Sequence, residues 1–183
     1  MPRASLRPRA AVAAPVIRRG TPADADALYE LIRAHQVEGH LLPRERAELT
    51  RRATRFAVLA AGDRLLGCAE LAELSPSVAE IRSLVVRPEG RGAGAAGRLV
   101  AALRDRAAAE GFTSLSVFTH DARLFVKHGF SIVPHPWVPE KIARDCASCA
   151  LFRRCGQHAM LLPLKETDRH GANDVEDRRI RVA

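Results

Sequence analysis

The chain has 183 residues, 47% apolar and 27% charged, with a net charge of +8. This is enough for one globular domain with short tails. It excludes a wholly disordered chain, a collagen, a disulfide-packed toxin and, with no apolar run near about 20 residues, a bilayer-spanning helix. Aromatic residues at 4% argue against a groove that stacks single-stranded nucleic acid.

Residues 1–15 carry Arg3, Arg7 and Arg9 and no acid, and are expected to form a disordered basic leader. No continuous apolar core follows these arginines, which argues against a secretory signal and leaves a transit peptide as the alternative. A strand begins at Val16-Ile17-Arg18. Thr21-Pro22-Ala23-Asp24 reads as an N-cap, a proline at the first helical position and an acid in the first turn. Leu28, Leu31 and Ile32 give this helix an apolar stripe, and Gly39 is its expected stop. A second, strongly charged helix is expected over Arg44–Arg55. Phe56–Ala60 and Leu65–Leu71 form a hairpin around Ala61-Gly62-Asp63, and Glu80–Val86 is a further strand ending before Pro88.

A long helix follows from about Gly94 to Glu110, with Leu99, Leu103 and Ala107 on one face and Gly111 as its C-cap. Ser114–Phe118 is the next strand, Ala122–His128 a short helix closed by Gly129, and Phe130–Val133 the start of another strand. The proline-rich stretch Pro134–Pro139 breaks the pattern, and Ala159–Leu162 returns as a terminal strand. The early strands are linked by hairpins and the later ones by helices, which predicts an α/β fold with a mixed, α+β type sheet. The folded domain spans 16–164, and 165–183 is a polar tail with five basic and five acidic residues. The domain itself keeps 21 basic against 16 acidic residues, which suits an enzyme that handles anionic small molecules. Without an export signal, the four cysteines are expected to be reduced, in a cytoplasmic protein.

The most informative segment is Arg87-Pro88-Glu89-Gly90-Arg91-Gly92-Ala93-Gly94-Ala95-Ala96, between a strand and a helix. Pro88 ends the strand's hydrogen bonding, Gly92 and Gly94 allow close backbone approach, and the free N–H groups of the helix start point outward. That is a cradle for a pyrophosphate. It is not a Walker loop, because no Gly-Lys-Ser/Thr follows, and it lies mid-chain, unlike a dinucleotide fingerprint.

These residues resemble the acetyl-coenzyme A motif of the GNAT acyltransferase superfamily, over about 16–164. The resemblance implies a GNAT fold with acetyl-CoA as co-substrate. Arg91, Gly92, Ala93, Gly94, Ala95 and Ala96 would bind the pyrophosphate through their amides, and Leu84, Val85 and Val86 would pair with the pantetheine arm and acetyl group. Leu124-Phe125-Val126-Lys127-His128-Gly129-Phe130 also fits, with Phe125 where family members often carry a tyrosine. Further pieces, Leu31-Ile32-Arg33, Glu38–Arg44, Gly67-Cys68-Ala69, Glu80–Val86 and Pro139–Ile142 with Asp145-Cys146-x2-Cys149, resemble the acetyltransferase domain of N-acetylglutamate synthases in its short, single-domain form. This implies acetyl transfer to the α-amine of L-glutamate, the first step of arginine biosynthesis.

On that resemblance Glu80 is the candidate base, with Glu70 in reserve, because the ammonium of an amino acid must lose a proton before attack. Thr119 is the candidate proton or hydrogen-bond donor to the leaving thiolate, and it equally reads as a helix cap. Arg44, Arg82 and Arg154 are the candidate carboxylate ligands, and the backbone at Ser83 would orient the amine. Cys146, Cys149, Cys155 and His158 offer a tetrahedral zinc set, but the spacing is short for a zinc ribbon, and reduced thiols packing a loop is the preferred reading. The expected partner is a small amino acid, with no nucleic acid or membrane, in a monomer or homodimer. The same fold could instead serve glutamine, a polyamine or a protein N-terminus, and the competing class is a basic Cys/His binding module.

Overall fold

The computed structural model describes residues 14–36, 41, 43–92 and 94–164. Most of the expected leader, the tail at 165–183, the helix stop at Gly39 and the cradle residue Ala93 lie outside these described residues. Seven strands form one sheet: β1 (Val16–Arg19), β2 (Phe56–Ala61), β3 (Arg64–Glu73), β4 (Val78–Val86), β5 (Ser114–Thr119), β6 (Ser131–Val133) and β7 (His158–Pro163). Their spatial order is β1-β2-β3-β4-β5-β7-β6. All neighbours are antiparallel except β4 and β5, which are parallel. The parallel pair requires a crossover, and α3 (Ala95–Ala109) supplies it.

Helices cover both faces, as the mixed pattern of hairpins and helical links predicts. On one face α3 sets Leu99, Leu103 and Ala107 against Leu71, Ile81 and Leu115. On the other, α1 (Ala25–Gln36) and α2 (Arg46–Arg52) set Leu28, Leu31, Ile32 and Leu49 against Phe56, Val58 and Cys68. The apolar stripes read at helical spacing are the buried ones. The second helix is shorter than expected at both ends: Arg44 precedes it, and Ala53–Arg55 tighten into a 3₁₀ turn before β2. The short helix α4 (Arg123–Lys127) joins β5 to β6. The segment after the proline-rich break is helical, with α5 (Pro139–Lys141) continuing as a π turn over Ile142–Cys146. Among the described residues no helix is long and apolar enough to cross a membrane.

The start of α1 has a measurable electrostatic consequence. The Asp24 carboxylate accepts the Thr21 N–H at 2.8 Å and both arms of the Arg18 guanidinium at 2.8 and 2.7 Å. The Arg18 hydrogen bonds, against an opposing contribution from burial and with help from Thr21, bring Asp24 from 3.8 down to about 2. A depressed folded pKa stabilises above the unfolded value and is lost as pH falls through the folded one. Asp24→Asn is therefore expected to cost ~1–2 kcal/mol at neutral pH, after discounting for the exposed Arg18. The difference from the parent should shrink between pH 3.8 and about 2, as followed by urea unfolding across that window.

Candidate active site

The cradle begins where β4 ends. The Arg87 amide still bonds the Leu66 carbonyl at 2.8 Å, and Pro88–Gly90 then form a 3₁₀ turn. Gly92 (φ +83°) and Gly94 (φ +69°) adopt the left-handed conformation that glycine takes without strain. A β-carbon at either would meet nothing within 4 Å, so this face of the loop is open. Gly94 caps α3; in its first turn the Ala95 amide is taken by the Gly92 carbonyl at 3.2 Å, and the amides of Ala96 and Gly97 have no intrahelical acceptor and carry the positive end of the helix dipole. Gly97, one turn in, is also constrained: a β-carbon there would lie 2.6 Å from His128 Nε2, so the end of α4 rests directly on this turn.

Beside the cradle the sheet splits. β4 and β5 pair from Val78↔Ser114 to Ile81↔Val117 and then separate, although β4 runs on to Val86 and β5 to Thr119. The cause lies on the other edge of β4. Pairing with β3 shifts between Glu70↔Arg82 and Cys68↔Val85, which leaves Ser83 and Leu84 opposite Ala69 alone. This is a β-bulge, and Ser83 carries it at φ +48°, the only non-glycine with positive φ among the described residues. Such a residue persists only where the surroundings hold it. The bulge turns Leu84, Val85 and Val86 away from β5 and opens a cleft that leads toward the cradle.

A row of alternating charge crosses the sheet on the α1/α2 face below this cleft. Glu70 is fully buried and accepts Arg44 Nη1 at 2.8 Å and Arg52 Nε at 2.6 Å. Arg44 also grips Glu48 with two hydrogen bonds, at 3.0 and 2.8 Å, and donates to Ser83 Oγ at 3.1 Å. Arg82, opposite Glu70 on β4, bridges Glu80 and Asp145. Glu80, 2% exposed, also meets Lys141 Nζ at 2.8 and 3.0 Å, and Lys141 reaches Asp145 at 2.9 Å. Burial alone would lower the pKa of Arg44 and of Arg82, but the neighbouring carboxylates outweigh it and raise both. Burial would raise Asp145, but Lys141 and Arg82 outweigh it and lower it. Four cations, Arg44, Arg52, Arg82 and Lys141, thus match four carboxylates, Glu48, Glu70, Glu80 and Asp145. Pairing of this kind is what lets charges be buried at all.

Cys68 lies under the bulge with Sγ 3.6 Å from the Ser83 carbonyl, and burial pushes its thiol up to about 12. The nucleophile of cysteine chemistry is the thiolate, so Cys68 is an inert packing group rather than a covalent relay. Thr119 stands two residues past the last β4–β5 pair, as Ser83 does on β4. Its hydroxyl donates to the Asp121 carbonyl and accepts the Asp121 amide, both at 3.1 Å, so it closes the turn into α4. Phe125 is buried edge-on against Phe130, with ring centroids 5.5 Å apart, and brings no hydroxyl to the cleft. Arg91 is exposed on the cradle, Ala95 buried and Ala96 half-buried.

Arg154 lies in an exposed turn before β7 and is not part of the charge row. The zinc alternative is not assembled: among the described residues no three His, Cys, Asp or Glu side chains are placed to hold a metal ion. His158 is paired with Thr119 in the sheet, whereas Cys146 ends the π turn. In the sequence Lys141 and Asp145 stand out only within the segment Pro139–Cys149 that carries the resemblance, and nothing local marks Arg52 or Glu48 as site residues. The available signal was the i,i+4 spacing of Lys141 and Asp145 just after Pro139.

The sequence model described as the Acetyltransferase (GNAT) family matches residues 25–130, from α1 through the cleft and cradle to α4. An uncharacterised N-acetyltransferase of Chlorobaculum tepidum is 29% identical over 81% of this chain and 96% of its own length. The amino-acid acetyltransferase of Ralstonia nicotianae is 34% identical over 62% of this chain, and that of Neisseria meningitidis 30% identical over 72%. This chain spans only 26% and 31% of those two enzymes. Among solved structures, N-acetylglutamate synthase of Neisseria gonorrhoeae, complexed with coenzyme A and N-acetyl-glutamate, superposes with a TM-score of 0.73 at 27% identity, over 84% of this chain and 36% of that one. Rv2747 of Mycobacterium tuberculosis, in complex with CoA and NLQ, shares the fold at a TM-score of 0.70 and 23% identity, over 82% and 99%. With the family model matching more than half of the chain, across the elements that build both cleft and cradle, this protein belongs to the GNAT acetyltransferase family and is an N-acetyltransferase.

Proposed function

We propose that the protein transfers the acetyl group of acetyl-CoA to the α-amine of L-glutamate, by direct attack on the thioester. The observation that carries the acetyl-transfer part is the juxtaposition of the open glycine cradle with the β4–β5 cleft held apart by the Ser83 bulge. The residues present fit the co-substrate: open space and left-handed glycines stand where a pyrophosphate would sit, beside a strand edge released from pairing. When bound, acetyl-CoA supplies an acyl thioester as the electrophile. The amino-acid acceptor is supported by the similarity to amino-acid acetyltransferases and by the buried carboxylate chemistry under the cleft.

In this reading the amides of Gly92, Gly94, Ala96 and Gly97 hold the pyrophosphate, and Leu84–Val86 align the arm along the cleft. Glu80 receives the proton of the acceptor ammonium, directly or through a water, and becomes a neutral carboxyl, while Arg82 and Lys141 stay paired with Asp145. The Ser83 backbone orients the amine. Thr119, across the mouth from Ser83, turns its hydroxyl from the Asp121 carbonyl to the departing sulfur. Arg44 and Arg82 are the carboxylate ligands of this scheme, and each must exchange an internal carboxylate for the substrate's. The inert Cys68 thiol supports direct transfer over a covalent cysteine intermediate.

That balanced pairing favours a second reading, glutamine as acceptor, because its amide needs no unmatched cation for the side chain. The test is the release of free coenzyme A with a panel of amino acids, a polyamine and a peptide N-terminus. Glutamate or glutamine is expected to raise release at least about tenfold over the acceptor-free rate. If neither does, the amino-acid assignment is wrong; release driven by the polyamine or the peptide would keep the fold and replace the acceptor.

A further inference from the structure

We propose that the groove between the β1–β2 edge and the C-terminal half of α3 is a second binding site, for a small organic carboxylate. The groove is a cavity of about 420 Å³, within the range of metabolite pockets. Its floor is apolar, with Ile17, Ala57, Ala102 and Leu103, and its rim is cationic, with Arg18, Arg19 and Arg106. The alanines of α3 at this end create the space that larger side chains would fill.

The cations of this rim are not balanced, unlike those of the charge row. Arg18 is closed off by Asp24. Arg19 Nε and Arg106 Nη1 both point at one acceptor, the Thr54 carbonyl, at 2.8 and 2.9 Å. Arg106 Nε and Arg55 Nη1 share one carboxylate, Glu110, at 2.7 and 2.8 Å. Three guanidinium groups therefore face a single carboxylate. The Nη2 atom of Arg106 is buried without any hydrogen-bond partner, as is that of Arg55, which shares Glu110 with it but does not line the groove; each carries N–H groups that strongly favour an anionic acceptor. A carboxylate in the groove would give Arg19 and, with a turn of its guanidinium, Arg106 an anionic acceptor, and a short carbon body would cover the apolar floor.

The site is separate from the catalytic one. Arg106 lies eleven residues along α3 from Ala95 at the cradle, about 16 Å at 1.5 Å per residue. The charge row is on the opposite face of the sheet, under α1 and α2. Occupancy here would brace the same helix whose first turn forms the cradle.

The test is calorimetric titration of the full chain with succinate and, separately, with inorganic phosphate. Saturating coenzyme A is present to fill the cradle and cleft. Succinate is expected to bind saturably with a Kd of about 1 mM or tighter, and Arg106→Met or Arg19→Met to weaken it at least about tenfold. Arg19 is exposed, so its variant keeps the test valid if Arg106→Met fails to fold. Weakening in either folded variant supports the site. No saturable succinate binding by about 20 mM, unchanged affinity in every folded variant, or binding of phosphate alone would overturn it.

Discussion

Gly92→Glu is expected to reduce affinity for acetyl-CoA by at least about a hundredfold, which is ~2.7 kcal/mol, while the protein stays folded. Two effects add. At φ +83° a side chain costs ~1–2 kcal/mol of backbone strain, or the loop rotates away and loses the direction of its amides. The new carboxylate also stands in the space where the phosphates would sit, at the positive end of α3. Nothing within 4 Å opposes a β-carbon at this position, so there is no clash to unfold the domain. Gly92→Ala separates the effects, since it carries the strain without the charge, and should lose only about tenfold. Titration with coenzyme A and circular dichroism read affinity and fold independently. Unchanged affinity in Gly92→Glu would remove the cradle from the cofactor site.

The cradle was legible in the sequence because its determinants are local. Positive φ at Gly92 and Gly94, a proline that ends a strand and a helix start all fall within a few consecutive residues. The cores were legible for a similar reason: Leu28, Leu31 and Ile32 on α1, and Leu99, Leu103 and Ala107 on α3, are set by helical period alone. The cleft was only partly legible. The bulge falls on a serine, a residue that gives no sign of left-handed geometry, and it depends on how β3 and β4 are registered. The charge row was least legible. Lys141 and Asp145 find Glu80 and Arg82 across more than 60 residues of chain, and their place just after the three prolines of 134–139 hides them. Arg44 was expected inside a helix; its bonds to Glu70 and Ser83 instead hold it in the stretch before α2.

Glu80→Gln is expected to lower kcat by about 10²- to 10⁴-fold, the usual contribution of a positioned base, with coenzyme A affinity changed by less than about twofold. The substitution keeps the shape of the side chain and removes its charge. Its structural cost is real: breaking a buried pair by neutralising one partner costs up to ~3–5 kcal/mol, and here Arg82 and Lys141 would be left with Asp145 alone. A merely structural Glu80 would therefore also lower activity, so the rate alone does not decide its role. The pH dependence does. If Glu80 takes the proton, kcat/KM of the parent falls on the acid side, and in Glu80→Gln that limb is replaced by one displaced to alkaline pH, because substrate must then arrive already deprotonated. Glu80→Asp keeps the charge one methylene further from the amine and should recover the limb with a reduced rate. A Glu80→Gln enzyme that keeps the parent's pH profile at lower rate would make Glu80 a support for the Arg82–Lys141–Asp145 cluster. The base would then be sought at Glu70, whose carboxylate lies on the neighbouring strand, opposite Arg82.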